Sequence, residues 1–299
     1  MKRILSFLLA LALSLSLCAC AAPGEKADDG KLQIVTTLFP YYDFARAIAQ
    51  DRADVTLLLS PGREAHSFEP TPLDAVTISE ADVFLYNGGE GEYWVESMLD
   101  AAGEHIAVAS RMMDYVDALN EEYVEGMQGA DGHDHDHEHG SHDDHDHDHE
   151  EDEHDSDEIE YDEHIWTSPK NTVVLCRAVC DAICRADAEN AAFYRANCEN
   201  YCAQLEDLDA RFAALCESAP RRLLIFADRF PMLYFCREYG LDYRAAFHGC
   251  SGDTEPSLAT IKFLIDKVED ENIPVVYTID FGTKKVAAVV SECTGAAIE

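Results

Sequence analysis

Positive charge is scarce in this chain. It contains 22 lysines and arginines against 59 aspartates and glutamates, and its formal net charge is −37 at pH 7. No lysine or arginine lies between Arg111 and Lys170. A chain with this charge is repelled by the phosphates of nucleic acids and by anionic membrane surfaces, so neither is expected as a partner. The same charge favours cations as ligands.

Long apolar runs are also absent, except at the N-terminus. The basic start Met1-Lys2-Arg3 is followed by an apolar run that is too short for a mature membrane span and is typical of a secretion signal. The sequence L-C-A-C at 17–20 is typical of a bacterial lipoprotein signal. We therefore expect removal of residues 1–19, a lipid on Cys20, a polar tether over 20–31 and a location on the outer face of the cytoplasmic membrane. Plain secretion is the alternative.

Catalytic motifs are missing as well. The sequence has no H-E-x-x-H and no nucleophile motif. A zinc hydrolase would need an open metal position and a general base, for which Glu64 or Glu69 would have to serve. We therefore predict a protein that is not an enzyme.

Histidine is abundant in one acidic segment, residues 131–157, which we call the histidine tract. Imidazole and carboxylate groups together suit divalent first-row metals, zinc most readily. The tract has almost nothing apolar to bury, so it cannot fold alone and is expected to bind ions weakly and dynamically. An acidic solubilising linker is the alternative. Nine of the 13 histidines lie there: His133, His135, His137, His139, His142, His145, His147, His149 and His154.

Apolar runs and helical patterns alternate on both sides of the tract. Before it, the β-branched runs at 32–39 and 53–60 are predicted strands, and Thr71-Pro72 begins a helix as N-cap and first residue. After it, Ser168-Pro169 begins a helix that ends at Ala186. Strand and helix alternate again from the run R-L-L-I-F-A to the helix at 284–293. This pattern predicts an α/β protein with mainly parallel sheets flanked by helices.

Residues 187–218 contain an apolar stripe without internal glycine or proline. They are predicted to form one long helix that joins two lobes. The predicted lobes cover 32–186, with an acidic histidine-rich loop at 113–160, and 219–299. Ligands of open α/β sheets gather at strand ends, where His66, Asp228 and Asp280 are expected to lie.

The 11 cysteines are many for an exported protein. Spacings of four residues place Cys176, Cys180 and Cys184 on one helix face, and Cys198 and Cys202 on another. Cysteines four apart on one helix are poorly placed to form a disulfide with each other. We interpret these residues as small buried hydrophobes. Bridging between two packed helices and zinc binding by the C-x3-C pairs are the alternatives.

Several segments resemble a known family. T-T-L-F-P-Y-Y-D-F-A, H-S-F-E-P, A-D-V-F-L-Y-N-G-G-E and D-E-H-I-W-T-S-P-K-N are similar to the metal-binding lipoproteins of ABC importers for zinc and manganese. These are the substrate-binding proteins of cluster A-I, and the histidine-rich loop and long helix resemble the zinc, ZnuA-like branch. The resemblance implies two α/β lobes joined by a rigid helix, with a metal ion in the cleft.

The resemblance also implies the ligands. His66 and His164 would come from the first lobe and Asp280 from a strand end of the second. The third ligand departs from the family, because zinc members usually have histidine where F-A-D-R-F stands here. Asp228 is the nearest candidate, Arg229 occupies the ungapped position, and His248 and Glu255 are the alternatives.

We therefore expect a monomeric, lipid-anchored binding protein that captures Zn²⁺ and delivers it to an ABC permease. A manganese-binding member of the same family, a surface adhesin and a metal-buffering surface lipoprotein are the alternatives. The family continues beyond the point at which T-G-A-A-I-E ends this sequence. The second lobe is therefore expected to be truncated, with an edge strand and its covering helix missing.

Overall fold

The first part of the chain forms a parallel sheet of four strands in the order β2-β1-β3-β4. This architecture comes from a computed structural model, which describes residues 30–60, 62–63, 66, 68–103, 106–127, 160–250, 255–280 and 282–299. The predicted signal segment, Cys20 and the histidine tract lie outside these residues. The strands are β1 Leu32–Thr36, β2 Ala53–Leu57, β3 Val83–Tyr86 and β4 Val108–Arg111.

Helices cover both faces of this sheet. Successive residues of β1 point to opposite faces, so buried Ile34 belongs to one core cluster with Tyr41, while buried Val35 belongs to another with Trp94. Both clusters are almost entirely apolar, as expected for a sheet buried on two sides. The helices before the histidine tract are α1 Phe39–Ala49, α2 Pro72–Ser79 and α3 Trp94–Ala102.

The predicted helix starts are confirmed. The Thr71 side chain accepts a hydrogen bond from the backbone of Asp74, and the Asp74 carboxylate accepts one from the Thr71 backbone, forming a capping box. Ser168 caps α4, Pro169–Ala186, by accepting from the backbone of Asn171. These caps satisfy backbone donors that have no partner within the helix.

The long helix α5 covers Ala191–Ser218. It begins later than residue 187, because 188–190 form a 3-10 turn in which the Asp187 side chain accepts from the Asn190 backbone. Its first half packs against α4 in the core of the first lobe. Near its other end, Phe212 packs edge-on against Phe235 of the second lobe, with ring centroids 5.0 Å apart. The helix therefore contacts both lobes.

The second lobe repeats the alternation on parallel strands. Backbone hydrogen bonds join Tyr277 to Ile225 and Ala227, which connects the pair β5-β6 to the pair β7-β8. Its apolar core includes Ile225, Leu264 and Val276. The elements are β5 Leu223–Phe230, α6 Leu233–Tyr239, β6 Asp242–His248, α7 Leu258–Asp270, β7 Val275–Val276, α8 Lys285–Thr294 and β8 Ala297–Ile298.

Two strands of this lobe differ from their predicted extents. β5 continues past Asp228 to Phe230, with a register shift between Phe226 and Arg229, so Asp228 lies at an irregularity inside the strand. β7 is limited to Val275–Val276. Asp280 therefore follows a short irregular stretch and not the strand itself. The last residues form β8, which pairs with β7.

The segments on either side of the histidine tract pair with each other. Asn120 and Tyr161 form an antiparallel bridge, and the Glu121 backbone N–H donates to the carbonyl of Glu160. Met127 is buried in an apolar cluster of the second lobe that includes Phe230. The described segments that flank the tract therefore belong to the folded structure. Within the described ranges, no helix combines the length and apolar character that a membrane span requires.

Candidate metal centre

His66 and His164, predicted from distant parts of the sequence, lie side by side. Their ring centroids are 5.6 Å apart, with the ring planes at 60°. Their side chains are 18% and 13% exposed, so both rings are largely buried but still accessible. Two imidazoles at this separation can approach one ion with a small change of rotamer.

The buried carboxylate of Asp162 contacts His164. The Asp162 side chain is fully buried, and its Oδ1 atom accepts from the His164 backbone at 2.7 Å and lies 3.0 Å from His164 Nδ1. An acid at Nδ1 places the proton of neutral imidazole there and leaves Nε2 for a metal. This is the arrangement by which carboxylates orient metal-binding histidines.

A second acid lies next to His66. The Glu163 carboxylate is 3.8 Å from His66 Nδ1, and its other oxygen accepts from the Gly91 backbone at 2.8 Å. Burial raises the pKa of Glu163, and the backbone donors and His164 only partly oppose this rise. Sequence reasoning missed Asp162 and Glu163 as functional residues, although both stand in the motif D-E-H-I-W. Two acids directly before a ligand histidine were the available signal.

Gly249 of the second lobe lies next to His164. A Cβ atom on Gly249 would lie 3.1 Å from His164 Nδ1 and 2.8 Å from the carbonyl oxygen of Phe230. Because a side chain there would clash with the Phe230 backbone, glycine allows the end of β6 to approach His164. The ends of β5 and β6 therefore lie at the predicted site.

Asp228 and Asp280 lie close to one turn. Asp228 Oδ2 is 2.8 Å from the position that a Cβ on Gly282 would occupy, and Gly282 closes a turn with Ile279 that contains Asp280. Asp228 Oδ1 accepts from the Arg229 backbone at 2.9 Å. Asp280 is exposed. The structure thus brings His66 and His164 side by side and places Asp228 next to the turn that contains Asp280.

The ligand atoms of the four predicted residues do not form one compact group in this structure. Among the described residues, the one group of three or more histidine, cysteine or acidic side chains with all ligand atoms within 4.8 Å lies elsewhere, in the helical core. The full ligand set therefore stays a prediction.

The alternative third ligands have other neighbours. His248 Nδ1 lies 3.6 Å from Glu121, and the His248 ring lies 5.1 Å from the ring of Tyr123. Burial raises the pKa of Glu121, but hydrogen bonds from His248 and Cys250 outweigh this and lower it overall. Glu255 is exposed and lies 3.4 Å from Lys285.

A cavity of about 640 Å³ opens beside the histidine pair. His66, Glu163 and His164 line it, together with Phe212 of the long helix and Phe235 of the second lobe. Asp228 and Asp280, both described, are not among the lining residues. The walls are mostly apolar, which strengthens electrostatic attraction to any ion that enters.

A further acid lines this cavity. Burial raises the pKa of Glu92 to about 7, and this rise outweighs the lowering by hydrogen bonds. Its Oε2 atom accepts from the Gly88 backbone at 2.7 Å. Glu92 therefore exchanges its proton in the neutral range.

This architecture defines a class of protein. Two α/β lobes spanned by one long helix, with acid-supported histidines at a cleft, are the features of a binding protein for a metal cation. The match to a family model described as "Zinc-uptake complex component A periplasmic" extends over residues 34–299, and the chain belongs to this family.

Individual relatives agree. The chain is 30% identical over 272 residues to the high-affinity zinc uptake system protein ZnuA of Bacillus subtilis, covering 90% of this chain and 77% of that protein. It is 30% identical to the zinc-binding lipoprotein AdcA of Streptococcus pneumoniae, with 92% of this chain and 50% of that protein covered. Among solved structures, the Zn(II)-bound ZnuA-like domain of Streptococcus pneumoniae AdcA matches with a TM-score of 0.67, 25% identity and coverage of 90% and 86%.

These matches confirm the predicted family, the α/β architecture with a long connecting helix, and zinc as the ligand of the family. The family consists of substrate-binding proteins for transport.

Proposed function

We propose that this protein captures Zn²⁺ outside the cytoplasm and delivers it to an ABC permease. The observation that carries the proposal is the histidine pair, His66 and His164, with a buried carboxylate next to each ring. Neutral imidazoles backed by carboxylates are favoured ligands for zinc.

Asp228 and Asp280 are proposed to complete the site from the second lobe. Two imidazoles and two carboxylates can hold zinc in a tetrahedron, and they would also accept manganese. The relatives named for zinc and the nine imidazoles of the tract favour zinc. The proximity of Asp228 to the turn of Asp280 supports Asp228 over exposed Glu255.

The histidine tract is proposed to collect ions for this site. Its flanking residues support this role, because Met127 is buried against the second lobe and Asp162 contacts His164. An ion released next to either flank would therefore start close to the cleft.

Anchoring by a lipid on Cys20 is proposed from the sequence, since Cys20 lies outside the described residues. The lipid would hold the protein on the outer face of the membrane, next to the permease. The protein is proposed to act there as a monomer without catalysis.

Metal titration of the chain from Gly24, with 131–157 deleted, tests the central proposal. We expect one tight, exchangeable zinc site that is lost in His66→Ala and that binds manganese more weakly. Asp228→Ala and His248→Ala decide the third ligand, with Asp242→Ala, an exposed acid of the same lobe, as control. Loss of tight binding on deletion of the tract alone would instead indicate a metal-buffering surface protein.

A further inference from the structure

A group of thiols lies in the core between α4 and α5. We call it the thiol cluster, and it consists of Cys176, Cys180, Cys198 and Cys202. Each is at most 3% exposed. The ligand atoms of Cys176, Cys198 and Cys202 all lie within 4.8 Å of one another. None of the four lines the cavity beside the histidine pair.

The spacing of the sulfur atoms suits a single cation. Cys176 Sγ lies 4.0 Å from Cys198 Sγ, which in turn lies 3.9 Å from Cys202 Sγ. Tetrahedral zinc with Zn–S bonds of about 2.3 Å places its sulfur ligands about 3.8 Å apart. The observed separations match this value within a few tenths of an ångström.

The helices supply this geometry through their sequences. A spacing of four residues places Cys198 and Cys202 on one face of α5, and the same spacing places Cys176 and Cys180 on the facing side of α4. Cys180 Sγ lies 4.0 Å from Cys184 Sγ, and the Cys180 thiol also interacts with Cys198. Cys180 is thus positioned to become the fourth ligand with a change of rotamer.

Among the four thiols, the surroundings favour the charged form of Cys198 alone in the metal-free protein. Hydrogen bonds from Cys176 and Cys180 hold the pKa of the Cys198 thiol well below its usual range. The interactions with Cys198 raise the pKa of the Cys176 and Cys180 thiols, and burial raises that of Cys202 to about 11 despite the nearby Arg177 guanidinium, so a cation must displace protons from these three thiols. Thiolates, not thiols, are the ligands of metals.

We propose that the thiol cluster is a buried structural site for a thiophilic cation, zinc, which ties α4 to α5 and is distinct from the transported ion. Binding replaces S–H bonds by Zn–S bonds and releases the thiol protons to solvent. Because the sulfurs are buried, the ion is enclosed as the protein folds and exchanges slowly afterwards.

A disulfide is the rival use of these thiols. Cys176 and Cys198 are the pair best placed across the two helices, whereas pairs four apart on one helix are poorly placed. A disulfide would join two sulfurs of the cluster and leave the other two thiols without a covalent partner. The nearly equal separations around Cys198 favour a shared cation over one bonded pair.

The test uses the mature full-length chain, refolded with zinc and a reductant and then treated with EDTA. EDTA removes ions from the histidine tract and the cleft. We expect about one zinc per chain to remain by elemental analysis and to be released only on unfolding in guanidinium. X-ray absorption of this zinc should show sulfur neighbours at about 2.3 Å, clearly longer than bonds to nitrogen or oxygen at about 2.0–2.2 Å.

Cys198→Ser should lose the retained zinc, whereas Cys216→Ser, which changes a buried thiol elsewhere on α5, should keep it. Should Cys198→Ser fail to fold, the absorption spectrum of the wild-type protein still decides the matter. Absence of retained zinc in the wild type, a shell of nitrogen and oxygen only, or a mass loss showing disulfides would each overturn the proposal. Cargo binding plays no part in these readouts, so the outcome is independent of the transport proposal.

Discussion

At the residue scale, the buried carboxylate of Asp162 orients the His164 imidazole and keeps its Nε2 atom available to a metal ion. Asp162→Asn keeps the size of the side chain but removes its charge, so the imidazole becomes a weaker ligand. We expect zinc affinity to fall by about 10-fold or more. Competition titration against a chromogenic chelator measures this on the chain without the tract. Asp117→Asn, an exposed acid, serves as control, and equal affinities of the two variants would refute the role.

The raised pKa of Glu92 predicts how the unfolding free energy depends on pH. Its folded-state pKa of about 7 lies above the unfolded value of about 4.3, so the folded protein binds more protons between these values. Unfolding free energy of the metal-free protein should therefore fall as pH rises from about 4.5 to 7, and stay level above that range.

Glu92→Gln removes this titration. The variant should gain stability over the wild type by up to about 3 kcal/mol at pH 8, and the gain should shrink towards pH 5. Urea unfolding at both pH values measures it. Glu96→Gln, an exposed acid on α3, should follow the wild-type profile. Parallel profiles for wild type and Glu92→Gln would show that Glu92 does not titrate in this range.

At the scale of elements, the start of α2 depends on its capping box. Thr71→Ala removes the side-chain acceptor for the Asp74 backbone and should cost about 1 kcal/mol of unfolding free energy. Thr77→Ala, on the same helix, removes only a hydroxyl that donates to the Leu73 carbonyl and should cost little. Urea denaturation compares the two, and equal losses would contradict the cap.

The long helix offers a sharper comparison. Phe212 and Leu215 both belong to the apolar stripe of residues 187–218, but the structure packs Phe212 against Phe235 and leaves Leu215 62% exposed. Phe212→Ala should therefore destabilise the protein by about 2–3 kcal/mol, whereas Leu215→Ala should change stability by less than about 0.5 kcal/mol. Thermal unfolding measures both variants. Similar losses of stability would indicate that Phe212 and Leu215 contribute equally, as one continuous apolar stripe would require.

At the scale of the whole molecule, the net charge of −37 should attract cations over a distance. Added salt screens this attraction, so the zinc association rate should fall as ionic strength rises. Deleting the acidic tract should weaken that dependence. Stopped-flow measurements on both forms check it, and identical salt slopes would mean that the tract does not steer ions.

Much of this protein was determined by local sequence. Alternating apolar runs specify strands and helices, and Thr71 and Ser168 mark helix starts, because these features depend on near neighbours along the chain. The motifs around His66 and His164 predicted the family correctly, and the structure places the rings of these two residues 5.6 Å apart.

Tertiary structure alone decided the contacts between distant segments. The local sequence does not predict that Gly249 lies next to His164 or that Asp228 lies at an irregularity within β5. It also does not predict that thiols from two helices lie around Cys198. These arrangements depend on how the helices and sheets pack, since packing fixes which faces meet and at what distance. The amino acids thus determined the elements and the kind of ligand, and the packing decided which side chains share a site.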